Sequence, residues 1–129
     1  IDLVIVQDGN LGKIKPNDSN SLVVVIGNLL ENAITAVSEN SKDEKLVMFS
    51  IFHELYKVFI TAADNGKGIT AEVAEHIYSK GFTTKKNYNS GYGLYLTKSI
   101  VDSYNGEINF DTNKDGMTEF IIILPIKEV

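Results

Sequence analysis

Two spacings of apolar residues alternate along the chain. Ile1-Asp2-Leu3-Val4-Ile5-Val6 opens as a β-rich run and predicts a first strand. Residues 7–21 are polar, hold Gly9, Gly12 and Pro16, and read as a loop; Asn17-Asp18-Ser19-Asn20-Ser21 offers several helix N-caps. From Leu22 to about Glu39, Leu22, Ile26, Leu29, Ala33 and Val37 recur at helical spacing. Asn28, Glu31, Asn32 and Thr35 form a polar stripe beside them, and Asn28 and Asn32 stand one above the other. Asparagine is a weak helix former, so two of them inside an apolar helix cost stability and call for a reason.

The strand period returns at Leu46–Phe52 and Lys57–Ala63, around a turn near Glu54, which predicts a hairpin. In its second run Val58, Ile60 and Ala62 point one way and Phe59, Thr61 and Ala63 the other. Both sets are apolar or small, so this strand is expected to be buried on both faces. Thr70 predicts the cap of a short helix running to about Tyr78. Residues 79–90 are polar and read as a mobile loop, and Leu94–Tyr104 as a second strong helix stopped by Asn105-Gly106. Glu107–Asp111 and Thr118–Leu124 read as two strands around a turn at 113–116. This order predicts a single α/β domain over residues 1–129: a two-layer sandwich with a mixed, mostly antiparallel sheet and helices on one face.

With 129 residues the chain is long enough for one real core. No uninterrupted apolar run approaches ~18 residues, so no membrane-spanning helix is expected. The opening run has no basic leader and reads as a strand excised from a longer chain, not a signal peptide. The absence of cysteine removes disulfides, thiolate zinc sites and a cysteine nucleophile. A net charge of −5 argues against a nucleic-acid backbone binder. An acidic domain that holds a polyanion then needs local help from amides, a lysine or a metal ion.

Three segments offer that help. Asp64 ends a strand and is followed by Gly66 and Gly68, which let the backbone approach a flat ligand. A carboxylate only accepts hydrogen bonds and so suits an exocyclic amine, although Asp-Asn-Gly is equally a turn sequence. Asn28 and Asn32 supply neutral amide oxygens, and one such anchor is enough for a Mg²⁺ ion that is otherwise held by phosphates and water. Gly91-Tyr92-Gly93-Leu94 opens a helix whose free amides and dipole favour phosphate. Before it, Thr83-Thr84-Lys85-Lys86 adds hydroxyls and cations, or is simply a solvated loop.

The boxes Asn-Leu-Leu-Glu-Asn-Ala at 28–33, Asp-Asn-Gly-Lys-Gly-Ile at 64–69, Gly-Phe-Thr-Thr-Lys at 81–85 and Gly-Tyr-Gly-Leu-Tyr-Leu at 91–96 resemble a known family. This is the ATP-binding domain shared by sensor histidine kinases, gyrase, a class of heat-shock chaperones and the mismatch-repair ATPases (the Bergerat fold). Within it the chain is most similar to the catalytic domain of bacterial two-component histidine kinases, with traits of the citrate/dicarboxylate sensor branch.

The resemblance implies that Asn32 holds Mg²⁺, with Asn28 close to metal and phosphates, and that Asp64 binds the adenine amino group. Gly66 and Gly68 shape the adenine pocket and Phe82 anchors a lid running to about Ser90. Gly91 and Gly93 free the backbone to wrap the triphosphate of ATP, and Lys85 helps neutralise it. Ile69, Thr84 and Leu94 complete the nucleotide-binding set, and Thr118 assists near the adenine, although one extra residue in Gly116-Met117-Thr118 departs from the family pattern. Thr35 and Tyr95 stand where a basic residue and a third glycine are common.

The resemblance also implies partners. The phosphoacceptor histidine belongs to an upstream dimerisation domain, because His53 ends a strand-like run and His76 lies in the short helix before the lid. A response regulator would act downstream. The domain itself is expected to be a cytoplasmic monomer without membrane contact, its parent anchored in the membrane. The rival readings are an anti-sigma-type serine kinase of the same fold and a non-catalytic nucleotide-sensing relative.

Overall fold

The computed structural model describes residues 2–8, 19–40, 43–79 and 93–125. Strand β1 (Asp2–Asp8) is followed by helix α1 (Ser19–Ser38), then β2 (Leu46–Glu54), β3 (Lys57–Asp64), the short α2 (Ala71–Ala74), α3 (Gly93–Ser103), β4 (Glu107–Thr112) and β5 (Thr118–Pro125). The five strands form one sheet in the order β1-β2-β3-β5-β4. Only the β1–β2 pair is parallel; the others are antiparallel. The expected mixed sheet with helices on one face is therefore present.

Alternation along the strands selects the buried face. Phe49 on β2, Val58, Ile60 and Ala62 on β3, Ile108 on β4 and Phe120, Ile122 and Leu124 on β5 form one core with Val25 and Leu29 of α1 and Val101 of α3. Val25, Leu29, Ala33 and Val37 are the fully buried stripe of α1, while Leu22 and Ile26 pack at its margin. Each of the fully buried Val25, Leu29 and Val37 contributes roughly 1.5–3 kcal/mol of transfer free energy. The window Ser21–Ser38 is long and apolar enough to cross a membrane by length and composition, with mean hydropathy 1.5, a test that a core helix also passes. Here its buried stripe lies on the sheet.

The strand β3 departs from the sequence reading. Its helix-facing residues are buried, but on the other face only Ala63 is, while Phe59 and Thr61 stay half-exposed. The sheet has helices on one side only, so its outer face is covered by its own side chains. Phe52 and Phe59, directly opposite across the hairpin, stack with ring centroids 4.8 Å apart, and Ser50 and Thr61 share a short hydroxyl hydrogen bond.

Helix ends follow local chemistry. The Thr70 hydroxyl accepts from the Val73 amide at 3.2 Å, as its capping position requires. That helix lasts one turn, and residues 75–78 continue as turns. At the end of α3 it is Asn105 that takes the left-handed conformation (φ 59°), while the Gly106 amide closes onto the Val101 carbonyl at 2.9 Å. Gly106 is needed for space: a Cβ there would stand 2.6 Å from the Ile123 carbonyl oxygen.

Candidate nucleotide-binding site

The site is built along one stripe of α1. Asn28, Asn32 and Ala36 follow at intervals of four, so each step climbs about 6 Å along the same side of the helix. At the lower end the Asn28 amide Nδ2 donates to the Gly93 carbonyl at 3.2 Å and to Thr97 Oγ1 at 3.4 Å. At the upper end Ala36 supports the loop after β3, because a Cβ on Gly66 would fall 2.6 Å from the Ala36 carbonyl oxygen. Asn32 lies between these two contacts, half-buried, with no side-chain hydrogen bond among the described residues.

Asp64 ends β3 at the upper end of this stripe. It is only 2% exposed, flanked in the sheet by Val47 on β2 and Thr118 on β5. Burial raises its pKa above the ordinary carboxylate range, partly offset by the Gly66 amide, which donates to Asp64 Oδ1 at 2.9 Å. Gly68 takes φ 81°, and a Cβ there would meet Thr118 Oγ1 at 3.8 Å. Thr118 is thus a neighbour of both Asp64 and Gly68 despite the extra residue before it. Ile69 is partly buried against the core, which holds the loop's far end, and Leu94 packs there too.

The loop bearing Asp64 is clamped from outside. Asn65 Oδ1 accepts from the Leu46 amide at 2.9 Å and its Nδ2 donates to the Glu44 carbonyl at 3.0 Å. The Asn40 amide donates to the Asn65 carbonyl at 2.9 Å. Lys45 Nζ closes the end of α1 by donating to the carbonyls of Val37 (2.9 Å), Asn40 (3.1 Å) and Ser38 (3.4 Å). The Lys67–Glu39 pair at 3.1 Å adds a partly exposed ion pair of little energetic weight.

The structure therefore brings Asn28 to Gly93, and Asp64 to Gly66, Gly68 and Thr118. Phe82, Thr84, Lys85 and Gly91 lie outside the described residues. Sequence reading missed Thr97, Asn40, Asn65 and Lys45. Thr97 was detectable as a hydroxyl on the apolar face that Leu94, Val101 and Tyr104 define. The other three act through partners that local pattern does not reveal. Among the described residues there is no cluster of three His, Cys, Asp or Glu that would form a metal centre of its own. His53 sits half-buried on β2 and His76 is exposed in the turn after α2.

A long helix whose stripe joins a buried strand-end carboxylate and a glycine-rich loop to the first turn of a second helix defines a class of nucleotide-binding domains. Residues 17–128 match the family described as histidine kinase-, DNA gyrase B- and HSP90-like ATPase, and the chain belongs to that family. It is 37% identical over 110 residues to a probable C4-dicarboxylate sensor kinase of Bacillus subtilis, covering 85% of this chain and 21% of that protein. It is 32% identical over 126 residues to the sensor protein CitS of the same organism, covering 97% of this chain and 23% of that one. The catalytic domain of the histidine kinase ThkA superposes with a TM-score of 0.76 at 25% identity, over 96% of this chain and 79% of that chain. The chain spans about a fifth of the length of the curated relatives it matches.

Proposed function

We propose that this chain is the ATP-binding catalytic domain of a sensor histidine kinase. It binds Mg-ATP and passes the γ-phosphoryl group to a histidine on an upstream dimerisation domain of the same protein. The observation that carries the reading is the α1 stripe: Asn32, free of other hydrogen bonds among the described residues, stands between the Asp64 loop and the start of α3. Sensor kinases as relatives favour this over an anti-sigma-type serine kinase.

Phosphoryl transfer asks the protein mainly for position and charge compensation. Asp64 accepts from the adenine amino group at the dry end of the site, with Thr118 beside it. Gly66 and Gly68 keep that end open to a flat base. The free amide oxygens of Asn28 and Asn32 fit a hard cation that shares its shell with phosphate and water. Mg²⁺ would neutralise phosphate charge there. The first amides of α3, with Gly91, Gly93, Thr84 and Lys85, cradle the triphosphate, and Phe82 seats the lid over it. A response regulator takes the phosphoryl group onward; the domain works in the cytoplasm as a monomer, in a parent protein anchored at the membrane.

The test uses the protein with its native upstream residues, incubated with γ-labelled ATP and Mg²⁺. Acid-labile, base-stable label that Asn32→Ala abolishes is the expected result. Binding of ATP without such label would favour a nucleotide-sensing domain or a serine kinase.

A further inference from the structure

Thr97 is a hydroxyl with no exposed surface, on α3 one turn before the equally buried Val101. Burying a hydroxyl is unfavourable unless it is hydrogen-bonded, and valine has nearly the same shape without that cost. The partner of Thr97 is the Asn28 amide, whose Nδ2 reaches Oγ1 at 3.4 Å and the Gly93 carbonyl at 3.2 Å. Gly93 and Thr97 are one turn apart, so two acceptors on one side of α3 face the same amide group.

A carboxamide has two ends of nearly equal size and opposite chemistry. A flipped amide would set its oxygen against the Gly93 carbonyl oxygen, while the Thr97 hydroxyl, donor and acceptor alike, tethers the group in place. The Asn28 carbonyl oxygen lies beside Gly93, 3.4 Å from where a Cβ on that glycine would stand, and it has no hydrogen bond among the described residues. Building on the functional reading above, we propose that Thr97 is a positioning residue for the phosphate end of the site. By holding the Asn28 NH₂ group, it fixes the Asn28 oxygen beside Gly93, available to a hydrated cation and not to an anion. The Gly93 carbonyl sets which end of the amide meets α3, and Thr97 adds the second contact that fixes where the amide stands.

The experiment measures ATP affinity with Mg²⁺ and with EDTA, together with thermal stability, for wild type, Thr97→Val, Thr97→Ser, Asn28→Ala and the Asn28→Ala/Thr97→Val double variant. Thr97→Ser should bind Mg-ATP within about two-fold of wild type, and Thr97→Val about five-fold or more weakly, with little change in EDTA; 1.4 kcal/mol corresponds to ten-fold. The double variant should be no weaker than Asn28→Ala. If Thr97→Val binds Mg-ATP like wild type, or its loss adds fully to that of Asn28→Ala, the proposal is overturned. Should Thr97→Val not fold, Thr97→Ser and Thr97→Ala make the same comparison: affinity kept in the first and lost in the second supports the role, and equal affinity overturns it. A wild-type chain that binds no ATP overturns the functional reading itself, a result distinct from an unchanged Thr97→Val.

Discussion

Gly66 rests on the backbone of Ala36, with room for a hydrogen and nothing larger: an added Cβ would lie 2.6 Å from the Ala36 oxygen and 2.7 Å from its carbonyl carbon. Both obstacles are main-chain atoms inside a helix, so they cannot step aside as the tip of a side chain would. Gly66→Ala should therefore push the Asp64 loop off α1. The expected outcome is a stability loss of about 1–3 kcal/mol in urea unfolding, with ATP affinity down more than about ten-fold by calorimetry.

Asp64→Asn separates stability from binding. The folded state raises the Asp64 pKa, so between the unfolded and folded values the native protein holds a proton the unfolded chain has lost. The stability this gives is complete below the unfolded value, near pH 4, and disappears as pH rises through the folded one. Asparagine stays neutral throughout and its oxygen can still accept from Gly66. The melting temperature of the variant relative to wild type should therefore rise with pH from about 4 upward, while ATP binding at neutral pH is lost. A constant difference across that range would contradict the burial argument.

Leu55 opens the hairpin turn at φ 54° with 81% of its surface exposed. A β-carbon in that left-handed region costs roughly 1–2 kcal/mol, and little contact is present to offset it. Leu55→Gly should raise stability by up to about 1 kcal/mol, less the extra chain entropy of glycine. Chemical denaturation checks this, and ATP affinity should not change, because the turn lies at the opposite end of β3 from Asp64.

The family resemblance implies that Asn28 occupies the place where hydrolytic relatives carry a glutamate able to activate water. An amide cannot accept a proton in that role. The isolated domain should turn over ATP below about 0.1 s⁻¹, under the range of ~1–10³ s⁻¹ common to enzymes. A coupled phosphate-release assay giving many turnovers per second would reject this.

Elements set by local pattern were legible in the sequence: the α1 period, the β2–β3 hairpin, the Thr70 cap. Asp64, Gly66 and Gly68 were legible as a strand-end motif, and Asn28 and Asn32 as misplaced polar residues. What escaped depends on partners far along the chain. Thr97 serves Asn28, 69 residues away, and Asn40 holds Asn65, 25 residues away. The stop after α3 at Asn105-Gly106 was legible, but not which of the two residues does what. Asn105 is the left-handed residue, and the need for glycine comes from Ile123 on a strand not yet made. The outer face of β3 was taken as buried because the residues are apolar, whereas one-sided helix cover leaves Phe59 and Thr61 half-open.

The parallel pairing of β1 with β2 has a topological consequence. Leu3 faces Val47, and Val47 faces Asp64, so β1 enters the sheet two strands, about 10 Å, from Asp64. Pro125 lies beside Lys57, at the far end of β3 and roughly 23 Å away. Any segment joined ahead of Asp2 is thus leashed to the rim that bears Asp64, and one joined after Pro125 to the opposite rim. A leash of that kind sets a high effective concentration of whatever it carries without any affinity between surfaces. A helix joined after Pro125 would therefore start farther from Asp64 than the same helix joined ahead of Asp2, by the depth of the sheet.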